Sequence, residues 1–414
     1  MTPGEAQDGR LLPTYERLPV EFDRGEGVYL HDHEGNRYLD ALAGIAVNLL
    51  GYRHPALIEA GHEALDGIHH LSNLFEIPPQ RELARRLSDL AAGTRAFFCN
   101  SGAEAVEAAI KFARKYSHRF GNDGRTILSA KNSFHGRTLG ALSLNRSKSV
   151  YRREFPEIGK VHDVPFCDDR SCTAETCSCG FLSGERSQLR RLLDPERGAV
   201  DPDDVAYLII EPVQGEGGLR YPSDAFAEEI ATLCAEHDLH LVADEVQAGV
   251  GRTGEFWASD HYPYEPDVIA AGKGLRVGAT LANSDVFPDQ RGRLSSTWGG
   301  GDIVGALQGV LTLDVIEDEN LLDNATERGA QFRETLREAD PDGVVDVRGK
   351  GLLLGVECET KERRDAVMEA ALQRGLLMLG CGYKTLRILP PLDVRDREID
   401  LAVDLLAQAF EATA

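Results

Sequence analysis

Positive charge is what this sequence has least of: 45 lysines and arginines stand against 68 aspartates and glutamates, a formal net charge of −23. Arginine greatly outnumbers lysine. That balance excludes a nucleic-acid binder or a protein held on anionic membranes, since both need basic patches. Long apolar runs are missing too, and none approaches the roughly 20 residues of a membrane span. The stretch Met1–Arg10 is polar and acidic without an apolar signal core, so a cytoplasmic protein is expected. The acid excess also suits a halophile, in whose proteins dense carboxylates keep the surface hydrated while salt screens their repulsion.

What is present reads as an ordinary soluble composition, 42% hydrophobic and 27% charged. A chain of 414 residues exceeds one compact core of usual size, which suggests a large domain and a smaller one. Between about residues 90 and 290, short apolar runs alternate with helical patterns. The runs are Arg95–Cys99, Thr126–Ser129, Val205–Ile210, Leu239–Ala243 and Val268–Ala271. Near-continuous apolar runs of this length are buried parallel strands, and the alternation is that of an α/β sheet between helices. After residue 303 the pattern becomes α+β: helices at Ile303–Glu317 and Leu321–Ala339, strands at Gly343–Arg348 and Leu352–Cys358, a helix at Glu362–Arg374, a strand at Leu386–Leu389 and a last helix at Asp396–Ala412. Gly27–Asp40 reads as a hairpin turning at Glu34-Gly-Asn36 and joining this unit. The expected division is a segment 1–60 of the small domain, a large domain 61–302 and a C-terminal part 303–414.

In open α/β sheets, ligands bind beyond the carboxyl ends of strands. After Cys99 stands Asn100-Ser-Gly-Ala-Glu104, a helix start that Ser101 and Glu104 can cap, with small Gly102 and Ala103 leaving backbone N–H groups open to an anion. After Ser129 comes Phe134-His-Gly-Arg-Thr138, an aromatic able to stack on a planar ring beside an arginine able to grip a carboxylate. After Ala243 comes Asp244-Glu-Val-Gln247, a buried carboxylate suited to a cationic ring nitrogen. After Ala271 comes Gly272-Lys273-Gly274, a lysine with small neighbours, whose desolvation lowers its pKa and makes it nucleophilic. Singly, each has a bland reading as a cap, a gap-filling aromatic or a solvated charge. Together, a strand-end Asp, a strand-end Lys and an anion cradle are what pyridoxal 5′-phosphate requires: a protonated pyridine ring, an imine and a held phosphate.

The motifs Asn100–Ala105, Phe134–Thr138, Glu211-Pro-Val-Gln-Gly-Glu216, Asp244–Gln247 with Gly251-Arg-Thr-Gly254, and Gly272–Gly274 stand in the order found in class III aminotransferases. The chain resembles that family from about Pro13 to Ala412. The resemblance implies a fold-type I architecture: a large domain with a mainly parallel, mixed sheet between helices, and a smaller α+β domain from both chain ends. It implies that Lys273 carries the cofactor and moves the substrate proton, that Asp244 pairs with the ring nitrogen, and that Gln247 bonds the ring's phenolic oxygen. Ser101, Gly102 and Ala103 would bind the phosphate and Phe134 would stack on the ring. Thr297 would reach the phosphate from a partner subunit, so that a homodimer or larger assembly shares its active sites. Arg137 would hold the distal carboxylate of an ω-amino acid. Arg387 would hold the α-carboxylate of glutamate or 2-oxoglutarate, with Glu216 covering Arg387 when the ω-amine donor is bound.

The donor stays open among 4-aminobutyrate, acetylornithine, ornithine and lysine. Thr297-Trp-Gly-Gly-Gly-Asp302 resembles lysine 6-aminotransferases, Ala43–Asn48 with Leu50–Pro55 resembles acetylornithine aminotransferases, and Gly380-Cys-Gly382 resembles archaeal ornithine or 4-aminobutyrate branches. A racemase or aminomutase on the same scaffold is the alternative. Glu216 with Arg387 speaks against it, because a switch serves only two different donors. A non-catalytic regulator is a third class, disfavoured by the complete cofactor set. Outside the motifs, Cys167, Cys172, Cys177 and Cys179 lie within 13 residues at a C-x4-C-x4-C-x-C spacing, enough thiols for a structural zinc, a disulfide or free thiols. If the acidic surface is a salt adaptation, thermal unfolding in ~3 M KCl occurs well above that in ~0.1 M KCl; an equal Tm in both would remove the idea.

Overall fold

The computed structural model describes residues 11–15, 17–119, 124–169, 171–173, 175–184, 186–283, 286 and 290–414; the polar Met1–Arg10 stretch lies outside the described residues. Seven strands form the central sheet, in the order Arg95–Cys99, Gly278–Ala282, Val268–Ala271, Leu241–Asp244, Val205–Ile210, Thr126–Ala130 and Lys160–Val164. All run parallel except Gly278–Ala282, which pairs antiparallel with both neighbours. The expected fold-type I architecture is therefore present.

Alternation along each strand sets the two faces. Tyr207 and Ile209 pack with Phe112 of the Gly102–Arg119 helix on one side. Leu208 and Ile210 pack with Phe226 and Ile230 of the Asp224–His237 helix on the other. Ser223 caps that second helix by accepting from the Phe226 N–H at 3.2 Å. Two strands of this sheet escaped the sequence reading. Lys160–Val164 is a polar edge strand, and Gly278–Ala282 is built of small residues without a periodic signal.

The hairpin strands Tyr29–Asp32 and Arg37–Asp40 turn where expected, with Asp32 accepting from the N–H groups of Glu34 and Asn36. Arg37–Asp40 pairs parallel with Leu376–Leu377, so the two chain ends share a sheet. A second antiparallel sheet runs Val344–Lys350, Leu353–Cys358, Thr385–Ile388 and Leu379–Cys381. Helices Leu321–Ala339, Lys361–Gln373 and Asp396–Glu411 contribute Phe332, Val367, Leu406 and Phe410 to its core.

Two buried arginines tie these sheets to the strand-end loops. Arg252, in the Gly251–Gly254 motif, donates to the carbonyls of Pro390 and Leu352, and burial pushes its pKa down to about 9. Arg348 donates to the Gly218 carbonyl at 2.7 Å and the Leu219 carbonyl at 2.9 Å. The loop bearing Glu216 is thus fastened to the smaller sheet.

Candidate active site

Parallel strands bring their C-terminal ends to one edge, and every expected motif lies there. Asp244 ends its strand buried, with Oδ2 2.8 Å from His135 Nδ1 and Oδ1 accepting from the Val246 N–H at 3.1 Å. His135 is itself fully enclosed, and its Nε2 has no hydrogen-bond partner among the described residues. This imidazole sits inside the Phe134–Thr138 motif, yet nothing in the sequence places it on a carboxylate 109 residues away.

Lys273 begins the turn Lys273–Leu275 directly after the buried Val268–Ala271 strand. Its neighbours are glycines because of close approach. A Cβ on Gly272 would meet the Gly102 Cα at 3.1 Å, and one on Gly274 would meet Leu49 Cδ1 at 2.4 Å. Gly102 thus abuts the lysine segment and the side chain of Val246. Burial pushes the Lys273 pKa down to about 7, helped by the positive field of Arg387 and opposed by Asp244, Glu211 and Glu216. Glu211 is also fully enclosed. It accepts from the N–H groups of Phe134 at 2.8 Å and Gly215 at 3.0 Å, and burial and the nearby Asp244 raise its pKa to about 8.

The expected anion cradle opens the Gly102–Arg119 helix. The Glu104 N–H donates to Ser101 Oγ at 3.3 Å, and the Glu104 carboxylate accepts from the Asn100 N–H at 2.9 Å, one residue earlier than a standard capping box. The first helical N–H groups have no partner within the helix. Thr297 is exposed, and its Oγ1 accepts from Asn100 Nδ2 at 2.6 Å, beside the cradle.

Arg137, Glu216 and Arg387 are brought together, with two further residues. Glu216 Oε2 lies 3.5 Å from Arg387 Nη2, while Oε1 accepts from Lys148 Nζ at 2.6 Å and Tyr151 Oη at 2.8 Å. Burial opposes the Glu216 charge, but Arg387 and Lys148 outweigh it and hold the pKa below the usual glutamate range. Arg137 lies over the Tyr151 ring, 3.7 Å from its centre, and also faces Phe134. Lys148 and Tyr151 are neighbours of these candidate residues that the sequence reading missed. They stand on no strand end and belong to no quoted motif. The four cysteines also cluster, but away from these residues, beside the Asp224–His237 helix.

The Aminotransferase class-III family model matches residues 12–410. The chain belongs to the class III aminotransferases. An acetylornithine aminotransferase of Aquifex aeolicus is 40% identical, covering 96% of this chain and 99% of its own length. Another, of Methanopyrus kandleri, is 39% identical over 99% of each. Among solved structures, the ornithine aminotransferase of Toxoplasma gondii aligns with a TM-score of 0.84 at 28% identity, covering 97% of this chain and 92% of that one. An aminotransferase of Bacillus anthracis aligns at 0.86 and 26%, covering 98% and 96%. The enzyme is an aminotransferase that uses pyridoxal phosphate.

The residues present fit that cofactor. Among the described residues, Gln247 Oε1 is buried without a partner, Asp244 is buried with no lysine or arginine paired to it, and Lys273, its pKa lowered to about 7, follows a glycine that abuts Gly102 at the start of a helix opened by small residues. Because the folded-state pKa of Lys273 lies below the ordinary lysine value, the amine is neutral above about pH 7 and becomes charged as pH falls through it. Recombination of the cofactor-free enzyme with pyridoxal phosphate therefore accelerates between about pH 6 and 8 and then levels off. Stopped-flow absorbance measures it, and a rate still rising steeply up to pH 10 would contradict the lowered value.

Proposed function

We propose that this ω-aminotransferase moves the terminal amine of an ω-amino acid to 2-oxoglutarate in a ping-pong cycle, with N-acetylornithine the favoured donor among acetylornithine, ornithine, lysine and 4-aminobutyrate. The observation that carries the reading is the Glu216–Arg387 pair beside Arg137. With Glu216 on Arg387, the pocket offers one free guanidinium, that of Arg137, which suits a donor with a single distal carboxylate. With Glu216 withdrawn, Arg387 and Arg137 together suit the two carboxylates of glutamate. The relatives named acetylornithine aminotransferase favour that donor. A racemase has no use for such a pair.

Pyridoxal phosphate supplies the electron sink that makes the proton on the amine-bearing carbon acidic. The chain's own groups do the rest. Ser101, Gly102 and Ala103 would hold the phosphate, Phe134 would pack on the ring, Gln247 would meet the phenolic oxygen, and Asp244 would keep the ring nitrogen protonated. Lys273 would anchor the cofactor, and its Nζ, neutral above about pH 7, would take and hold the proton from the amine-bearing carbon. Such a positioned base contributes about 10²–10⁴-fold.

Thr297 serves the phosphate of a second subunit in a homodimer or larger assembly. Exposed Leu74, Phe75 and Trp298 support that arrangement, since Asn73 and Ser296 are hydrogen-bonded and join these apolar residues into one surface beside Thr297. Lys148 and Tyr151 give Glu216 a place to remain when it leaves Arg387.

Two variants pull the donor preference in opposite directions. Glu216→Ala uncovers Arg387 permanently and shifts the ratio of kcat/KM for glutamate over acetylornithine upward by about tenfold. Lys148→Met removes the cation that competes with Arg387 for Glu216 and lowers the same ratio. Steady-state kinetics with both donors measures it, and unchanged ratios would refute the switch.

A further inference from the structure

The aminotransferase reaction makes no use of the cysteine segment. The described residues of the segment 166–182 follow the edge strand Lys160–Val164 and carry almost no regular structure of their own. Yet the segment closes over an apolar cluster in which Phe166 and Phe181 pack on Phe226 at 5.0 and 5.5 Å between ring centres. A short irregular insertion has little core with which to offset its chain entropy, and bound metal is one common remedy.

Its thiols are gathered about one point. The sulfurs of Cys167, Cys172 and Cys179 all lie within 4.8 Å of one another. Cys179 Sγ is 3.5 Å from Cys167 Sγ, 3.6 Å from Cys172 Sγ and 3.6 Å from Cys177 Sγ. Four sulfurs at about 2.3 Å from a tetrahedral zinc are separated by about 3.8 Å, close to these spacings. The remaining cysteines, Cys99, Cys234, Cys358 and Cys381, take no part.

A second observation concerns the donors around the sulfurs. The Leu182 N–H points at Cys177 Sγ at 3.2 Å, the Phe181 N–H at Cys179 Sγ at 3.5 Å, and the Ser223 hydroxyl at Cys167 Sγ at 3.3 Å. Gly180, at φ +78°, lets the chain fold back so that the two N–H groups reach sulfur. Four thiolates and a dication carry a net charge of about −2, and donors of this kind disperse it. Neutral thiols have no such need.

We propose that Cys167, Cys172, Cys177 and Cys179 bind one structural zinc ion that fastens this insertion to the large domain. Zinc suits the site because four thiolates fill its coordination shell, leaving no position for water or substrate. The clamp also reaches toward the active site. Asp168, next to Cys167, pairs with Arg220 at 2.8 Å, and Arg220 exchanges backbone hydrogen bonds with Gln214 across the loop that carries Glu216.

Elemental analysis of the purified holoenzyme is expected to find about one zinc per chain. Cys172→Ser and Cys179→Ser lose the metal and lower Tm by at least about 5 °C, whereas Cys234→Ser keeps it. Where a variant does not fold, the wild type still decides. A thiol-binding mercurial should release zinc to a metal-sensitive dye, and cobalt supplied during expression should give the visible bands of a tetrahedral thiolate site. Sub-stoichiometric metal, iron in place of zinc, or full zinc retention in Cys179→Ser would overturn the proposal.

Discussion

A carboxylate enclosed at the end of a strand is the constraint around which the site is arranged. Asp244 has left water, and an uncompensated buried charge costs several kcal/mol. His135 meets one oxygen at 2.8 Å, and the Val246 N–H meets the other at 3.1 Å. Among the described residues no lysine or arginine reaches this carboxylate, so the pocket favours a cationic ring nitrogen beside it. The same enclosure acts on Lys273, lowering its pKa to about 7 so that its amine is neutral above that pH. Glu211, also enclosed, is pushed toward protonation and braces the loops of Phe134 and Gly215. Burial at the sheet edge therefore moves both Lys273 and Glu211 toward their neutral forms.

In the proposed function, substrate choice rests on a second cluster, built around Glu216. Glu216 divides its oxygens between Arg387 and the Lys148–Tyr151 pair, while Tyr151 also carries Arg137 on its ring. Arg348 fastens the Glu216 loop to the smaller sheet, and the Gly382 N–H donates to the Glu216 carbonyl at 2.8 Å. The backbone of the loop is thus held while its carboxylate is left with a choice of cations. That is the physical requirement for a side-chain switch that does not deform the fold.

Much of this was legible from residues alone. Arg95–Cys99, Val205–Ile210 and Val268–Ala271 are strands at the expected bounds because an apolar run between polar loops admits little else. The Leu239–Ala243 strand begins two residues later, since Asp238 takes a left-handed conformation to end the preceding helix and Leu239 and His240 complete the turn. The Lys273, Asp244 and Ser101–Ala103 motifs announce themselves by standing at strand ends. His135, Lys148, Tyr151 and Arg348 do not, because their partners lie 109, 68, 65 and 130 residues away. Only the folded sheet order brings those pairs together. The spacing of the four cysteines left metal, disulfide and free thiols open, and the common approach to Cys179 is what supports the proposed metal site.

The most direct test of the account is the single-turnover half-reaction of Asp244→Ala with N-acetylornithine, followed by absorbance with the cofactor still attached at Lys273. The account predicts a rate at least about a thousandfold below that of the unaltered enzyme, because the ring would no longer be held protonated. A rate within about tenfold of the unaltered enzyme would show that the buried carboxylate is not what the site is built around.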